Sequence, residues 1–80
     1  MMNNIDKLKQ VLSRVLKVKV EEISDKSSPE NISGWDSFNG LMLVTELEKE
    51  FQVKFTIDEI IAVNDVKDIK ASLRKHGVEI

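Results

Sequence analysis

A hydroxyl group at a predicted helix start is the feature of this sequence with the clearest chemical use. Ser37 follows Trp35 and Asp36 at the end of a polar stretch, and regularly spaced apolar residues begin at Phe38. The first N–H groups of a helix lack partners within the helix, and the helix dipole is positive there. Such a position can hold a phosphodiester. By local pattern alone, Ser37 is more simply a helix cap, worth about 0.5–2 kcal/mol over alanine.

The rest of the sequence offers little catalytic chemistry. The chain has no cysteine, which excludes a disulfide framework, a thiolate nucleophile and cysteine zinc ligands. Its one histidine, His76, lies near the C-terminal end, where a helix-end cation is more common than a base or a ligand. No glycine-rich phosphate loop, HExxH pattern or EF-hand pattern occurs. The sequence therefore predicts no catalytic residue, no metal site and no enzymatic activity.

Helical spacing of the apolar residues predicts a first helix, which Asn3 or Asn4 can cap. A long polar connection follows, over about residues 20–36. Connections of this length are uncommon in small domains unless they are functional or fixed in place. We expect three apolar residues to fix this one: Ile23, Ile32 and Trp35.

A second helix is predicted from Asp36 or Ser37 to about Phe51, with a broad apolar stripe. The stripe consists of Phe38, Leu41, Met42, Leu43, Val44, Leu47 and Phe51. Gly40 inside it costs roughly 1 kcal/mol relative to alanine, which indicates close packing or a close approach. Residues 52–55 alternate like a strand but have no partner strand. We therefore predict an extended linker that inserts Val53 and Phe55 into the core.

Two further helices complete the predicted fold. Thr56 and Glu59 have the spacing of a capping box, which starts a short third helix. Asn64 or Asp65 can cap the last helix, and a histidine and a glycine at 76–77 end it. The predicted fold class is all-α: one domain, residues 1–80, forming a four-helix bundle with three longer helices, one short third helix and a long first loop.

Charge is distributed unevenly along the chain. The formal charge is +4 over residues 1–20, −8 over residues 21–65 and +2 over residues 66–80. The acidic middle suits basic partners. Because the basic residues are spread over both ends without interleaved aromatic residues, a nucleic-acid partner is not expected. No apolar run suits a membrane span or a signal peptide, so we expect a cytoplasmic protein without a membrane span.

The residues around Ser37 resemble the acyl carrier protein family. The resemblance rests on the segment 35–38, the apolar stripe after it and Leu47-Glu48-Lys49-Glu50-Phe51. Residues 53–56 resemble the extended linker before that family's short third helix, and residues 66–69 resemble the start of its fourth helix. The resemblance is strongest from Gly34 to Ile69, and the layout of four helices agrees over the whole chain.

This resemblance implies a carrier of acyl or aminoacyl groups. A phosphopantetheinyl transferase would place 4′-phosphopantetheine from coenzyme A on Ser37, with Asp36 and Phe38 beside the attachment site. The thiol of the arm would hold the cargo as a thioester. A loading ligase and downstream acyl-transfer or condensing enzymes would be the partners of a monomeric carrier. The cargo stays open among fatty acyl, polyketide, D-alanyl and other aminoacyl groups.

A partner-docking surface is expected beside the arm: Asp36, Asn39, Met42, Glu46, Glu48, Asp58 and Ile61. In many fatty-acid carriers the positions of Met42, Lys49 and Ile61 are acidic. If Met42 and Ile61 are exposed, they indicate dedicated partners with apolar contacts, whereas burial would make them core residues. The alternative function is a noncatalytic helical interaction module, in which Ser37 is only a cap.

Overall fold

The computed structural model describes residues 3–80, which form four α-helices. These are α1 (Asn4–Leu16), α2 (Ser37–Phe51), α3 (Ile57–Ala62) and α4 (Val66–Lys75). A short 3-10 turn, Val20–Glu22, lies in the first connection and was not predicted. No strand occurs between residues 3 and 80, and the segment after α2 is extended but unpaired. The predicted all-α bundle with one short third helix is confirmed.

Each α-helix begins after a side chain that caps it. The caps are Asn3, Asp36, Thr56 and Asp65, and each accepts a hydrogen bond from the backbone N–H three residues further on. These bonds satisfy donors that have no partner inside the helix. Glu59 completes the predicted capping box with Thr56. Where the sequence offered two candidates for a cap, the caps in the structure are Asn3, Asp36 and Asp65.

The core lies between the three longer helices. Its buried residues are Leu8, Val11, Leu12 and Leu16 of α1, Leu43 and Leu47 of α2, and Val66, Ile69 and Leu73 of α4. Burial of each such side chain contributes about 1.5–3 kcal/mol to folding. The first connection adds Ile23, Ile32 and Trp35, as predicted. The apolar spacing of α1 and α4 therefore does place their stripes against the core.

Polar contacts hold the first connection against the start of α4. Asp25 accepts a hydrogen bond of 2.6 Å from Lys70 Nζ. Two backbone bonds run the same way: Val66 N–H donates to the Ser27 carbonyl oxygen at 3.0 Å, and Lys67 N–H donates to the Asp25 carbonyl oxygen at 3.1 Å. These contacts explain how a long connection is ordered with few apolar residues.

Gly34 brings the end of this connection against α1. A Cβ atom at Gly34 would lie only 2.5 Å from the Leu16 carbonyl oxygen, which is backbone and cannot move aside easily. Only glycine therefore allows the chain to pass the end of α1 here. The close approach sets the position of the next residues, Trp35 to Ser37.

The segment around α3 is more lightly packed than the rest. Val53 and Phe55 of the preceding linker pack against the core, as predicted, whereas α3 itself has no fully buried residue. The C-terminal end of α4 lies nearby, with His76 as its cap and Gly77 at a φ of 87°, a conformation that glycine adopts without strain. Within residues 3–80, no helix has the length and apolar character needed to cross a membrane.

Candidate functional site

Ser37 is the first residue of α2 and is exposed. The interpretation of Ser37 as a simple cap is wrong, because Asp36 Oδ1 accepts the Asn39 N–H at 2.8 Å and so takes that role. The Ser37 hydroxyl is not needed for capping. It stands in solvent beside the first N–H groups of a helix, where an attached phosphate would be favoured. The position fits a phosphodiester-linked group.

The neighbours of Ser37 divide into structural and exposed residues. Asn39 Nδ2 donates to the Gly34 carbonyl oxygen at 2.7 Å, which ties the first turn of α2 to the connection before it. Asp36 is exposed even though it caps the helix. Phe38 is 70% exposed, so its ring lies at the surface rather than in the core.

Two exposed apolar ridges flank this end of the molecule. The α2 ridge consists of Phe38, Leu41 and Met42, which share one helix face. The α3 ridge consists of Ile57 and Ile61. Met42 is 43% exposed and Ile61 is 74% exposed, so neither is a core residue. Exposed clusters of large apolar side chains often mark interaction sites.

The broad apolar stripe predicted for α2 is only partly buried. Phe38 and Leu41 were counted in that stripe, yet Leu41 is 63% exposed. Only Leu43 and Leu47 of this helix are fully buried. The spacing of apolar residues does not reveal which part of a wide stripe its neighbours cover.

The acidic residues near the ridges differ in what they contact. Glu46 lies 3.3 Å from Arg14 and 3.6 Å from Lys49, so its carboxylate is already paired. Glu48 Oε2 accepts the Phe55 N–H at 2.9 Å and is turned towards the linker before α3. Asp58 is exposed in the first turn of α3. Asp36 and Asp58 are thus the predicted docking acids that face solvent most openly.

An apolar cleft of about 360 Å³ opens beside Ser37, between α2 and α3 with α4 as its floor. Its lining residues are Trp35, Ser37, Gly40, Leu41, Leu43, Val44, Leu47, Phe55, Glu59, Ile60, Val63, Ile69 and Ser72. Sequence reasoning missed this cleft. The signal that could have indicated the cleft is the number of apolar positions in α2, which exceeds what a single neighbouring helix can cover.

Gly40 lies in the wall of the cleft and does not make the expected close approach. A Cβ atom there would lie 3.8 Å from Trp35 Nε1, which is an ordinary contact distance. The glycine whose side chain the fold excludes is Gly34 instead. Gly40 leaves the wall open next to Ser37.

Glu59 supplies the charged part of the cleft wall. Its Oε1 accepts the Thr56 N–H at 2.8 Å, and its two oxygens lie 3.0 and 2.9 Å from His76 Nε2. The pKa of this carboxyl lies below its ordinary value. The largest cause is the hydrogen bond from the Thr56 backbone, and the next is the contact with His76. The His76 ring also meets Phe55 edge to face, with centroids 5.4 Å apart. His76 thus contacts two residues that line the cleft.

A family model and several known proteins are similar to this chain over most of its length. The family model described as the phosphopantetheine attachment site matches residues 6–73. The acyl carrier protein of Buchnera aphidicola subsp. Schizaphis graminum is 30% identical over 67 residues, which cover 82% of this chain and 85% of that protein. Acyl carrier protein 3 of Ralstonia nicotianae is 29% identical over 79 residues, which cover 94% of this chain and 91% of that protein.

A much longer protein and a solved structure are also similar. The non-reducing polyketide synthase pkbA of Emericella nidulans is 35% identical over 71 residues, which cover 89% of this chain but only 3% of the synthase. A Mycobacterium tuberculosis structure assigned as an acyl carrier protein superposes with a TM-score of 0.80 at 22% identity, covering 90% of this chain and 96% of that one. The similarity to this solved structure shows the fold.

The family model covers most of the chain, and the two acyl carrier proteins match over most of their own lengths. A family of this kind works by delivery to acyl-transfer or synthase enzymes and has no catalysis of its own. The chain therefore belongs to the acyl carrier protein family, whose members carry covalently attached 4′-phosphopantetheine.

Proposed function

We propose that Ser37 is the attachment residue and that the protein delivers apolar acyl groups to partner enzymes. The observation that carries the proposal is the exposed Ser37 hydroxyl at the start of α2, at the edge of an apolar cleft. Attachment joins Ser37 Oγ to the phosphate of the pantetheine unit, and adenosine 3′,5′-bisphosphate leaves coenzyme A. A phosphopantetheinyl transferase is the partner for this step.

The residues around Ser37 prepare this position rather than react. Asp36 caps α2 and so keeps the Ser37 hydroxyl out of the helix's own hydrogen bonds. The free N–H groups of the helix start favour the negative charge of the phosphodiester. The attached arm supplies a thiol that holds cargo as a thioester, and this chain, without cysteine, has no competing thiol.

The cleft favours an apolar acyl cargo over a small polar one such as D-alanyl. Its wall is formed mostly by aliphatic side chains, among them Leu41, Val44 and Ile60. Each methylene group moved from water into such a wall contributes about 0.8 kcal/mol. A charged ammonium group would lose its hydration there without a matching gain.

The two apolar ridges are the proposed docking surface for the loading ligase and for downstream acyl-transfer or condensing enzymes. Phe38 and Met42 lie on the same helix as Ser37, and the exposed acids Asp36 and Asp58 lie beside the ridges in sequence. Partners with a mixed apolar and basic surface would fit this arrangement. The monomeric state and the cytoplasmic location stay predictions.

Mass spectrometry tests the attachment. Incubation with coenzyme A and a phosphopantetheinyl transferase should add one arm to the wild-type chain and none to Ser37→Ala. Acyl groups of increasing length are then loaded on the arm, and thermal stability is measured. We expect stability to rise with each methylene group until the cleft is filled, with D-alanyl as the control that gives no rise. Equal stability for all loaded forms would contradict cargo binding in the cleft.

A further inference from the structure

Trp35 has an indole N–H group without a hydrogen-bond partner among residues 3–80. The residue is only 7% exposed. The Nε1–H group donates to no acceptor in that range. Every fully enclosed polar side-chain atom of residues 3–80 has a partner, so this N–H group is not fully enclosed. The N–H group must therefore reach open space, and Trp35 is one of the residues lining the cleft. A largely buried indole N–H usually has an acceptor.

Gly40 is the residue that leaves this donor uncovered. A Cβ atom at Gly40 would lie 3.8 Å from Trp35 Nε1 and 4.0 Å from Cδ1, so the pyrrole edge of the indole faces this glycine. An alanine would fit sterically, and glycine destabilises a helix interior relative to alanine. Steric packing therefore does not explain a glycine at position 40. Access to the Trp35 N–H group does explain it.

Ser37 lies three residues before Gly40, on the same side of α2, and lines the same cleft. A chain that leaves Ser37 Oγ and enters the cleft passes Gly40 and the open edge of Trp35. Such a chain carries phosphate oxygens, amide carbonyls and a thioester carbonyl. A neutral carbonyl is the better match for a donor that is mostly buried, because a charged phosphate oxygen loses more hydration there.

We propose that Trp35 Nε1–H donates a hydrogen bond to a carbonyl oxygen of the chain attached at Ser37, at the mouth of the cleft. The inference rests on the proposed function, since it requires the arm. Trp35 would be a positioning residue that holds the chain at one point while the cargo lies along the apolar wall. The acceptor is either an amide carbonyl of the arm or the thioester carbonyl of the cargo.

The single tryptophan makes this contact directly observable by NMR, since the chain has one indole N–H signal. The signal is compared in the unmodified protein, in the protein with a free arm and in the acylated protein. We expect the indole proton to move downfield and its exchange with water to slow. A change on addition of the arm alone identifies an arm amide, and a change only on acylation identifies the thioester.

Two variants separate a hydrogen bond from a change in surroundings. Gly40→Ala places a methyl group against the N–H edge, so the downfield shift should be lost while the arm is still added. Val44→Ala is the matched control, because it alters the cleft wall one turn beyond Gly40 and adds no atom beside the donor, and its shift should be retained. Trp35→Phe keeps an aromatic ring and removes the donor. In the acylated form we expect thioester hydrolysis to be about two- to tenfold faster, as for loss of an ordinary hydrogen bond.

The outcomes decide between the two proposals. An arm confirmed by mass spectrometry with an indole signal unchanged in all three forms overturns the role of Trp35 and leaves the carrier function intact. A downfield shift retained in Gly40→Ala overturns the assignment of the open edge at Gly40. If no arm is added at Ser37, the proposed function and this inference fail together.

Discussion

Glu59 and His76 join α3 to the C-terminal end of α4, with His76 Nε2 2.9 Å from Glu59 Oε2. Because α3 has no fully buried residue, this contact helps to hold the short helix in place. Glu59 also accepts the Thr56 N–H inside the capping box. The carboxylate therefore stabilises the start of α3 and its position beside the cleft at once.

The first prediction concerns acid. The pKa of Glu59 is lowered by the Thr56 backbone bond and then by His76, and the pKa of Asp25 is lowered by the hydrogen bond from Lys70. A lowered folded-state pKa stabilises the protein above the ordinary value and loses that effect as pH falls through the folded value. Stability should therefore decline as pH falls below about 4.5, the ordinary value for glutamate. Urea unfolding at several pH values measures this.

Matched variants assign the decline. Glu59→Gln should be less stable than wild type near neutral pH and should show a flatter decline in acid. Glu50→Gln, at an exposed position, is the control and should follow the wild-type curve. A Glu59→Gln curve parallel to that of wild type would show that other carboxyl groups govern the acid transition.

The second prediction separates attachment from capping. Ser37→Ala should change the free energy of unfolding by no more than about 0.5 kcal/mol, as for an exposed residue without a cap role. Asp36→Ala should cost about 1 kcal/mol, because it removes the cap. Chemical denaturation measures both. A larger loss for Ser37→Ala than for Asp36→Ala would contradict the assignment of the cap.

The third prediction concerns recognition by the transferase. Asp36→Asn keeps a side chain that can cap α2 and removes the negative charge. We expect slower modification of Ser37, and a wild-type rate that falls as salt rises, because salt screens the attraction to a basic enzyme surface. Rates are followed by mass spectrometry. A rate that is independent of salt and of this substitution would restrict Asp36 to a structural role.

The fourth prediction concerns the α2 ridge. Met42→Glu should leave the fold intact, because Met42 is 43% exposed, and should weaken loading by the native ligase. Removing an apolar contact of this size from an interface costs about 1.5–3 kcal/mol. It should also improve use by enzymes with basic docking surfaces. Leu43→Glu is the matched control: it places a charge at a position that is 2% exposed and should unfold the protein.

The fifth prediction compares two glycines. Gly34→Ala should destabilise the fold by about 1–3 kcal/mol, because its Cβ would lie 2.5 Å from the Leu16 carbonyl oxygen. Gly40→Ala should instead stabilise the protein without its arm by up to about 1 kcal/mol, because its Cβ meets only ordinary contacts. Thermal denaturation of both variants measures the difference. Equal effects of the two substitutions would be inconsistent with this geometry.

The local features of the fold were predictable because the interactions that create them lie within a few residues. The capping box of Thr56 and Glu59 and the stop at Gly77 depend on backbone groups close in sequence. The apolar stripes of α1 and α4 supply most of the buried core. The motif around Ser37 likewise indicated the carrier function before any contact was known.

Tertiary structure decided which apolar residues are covered. Phe38, Leu43 and Leu47 all belong to the broad stripe of α2, yet only the two leucines are buried. The outcome depends on where α1, α3 and α4 lie, and those positions follow from long-range packing and from the passage of Gly34 beside α1. The cleft has the same origin. It is the space that the lightly packed α3 leaves beside α2, and no spacing along one helix encodes the gap between two.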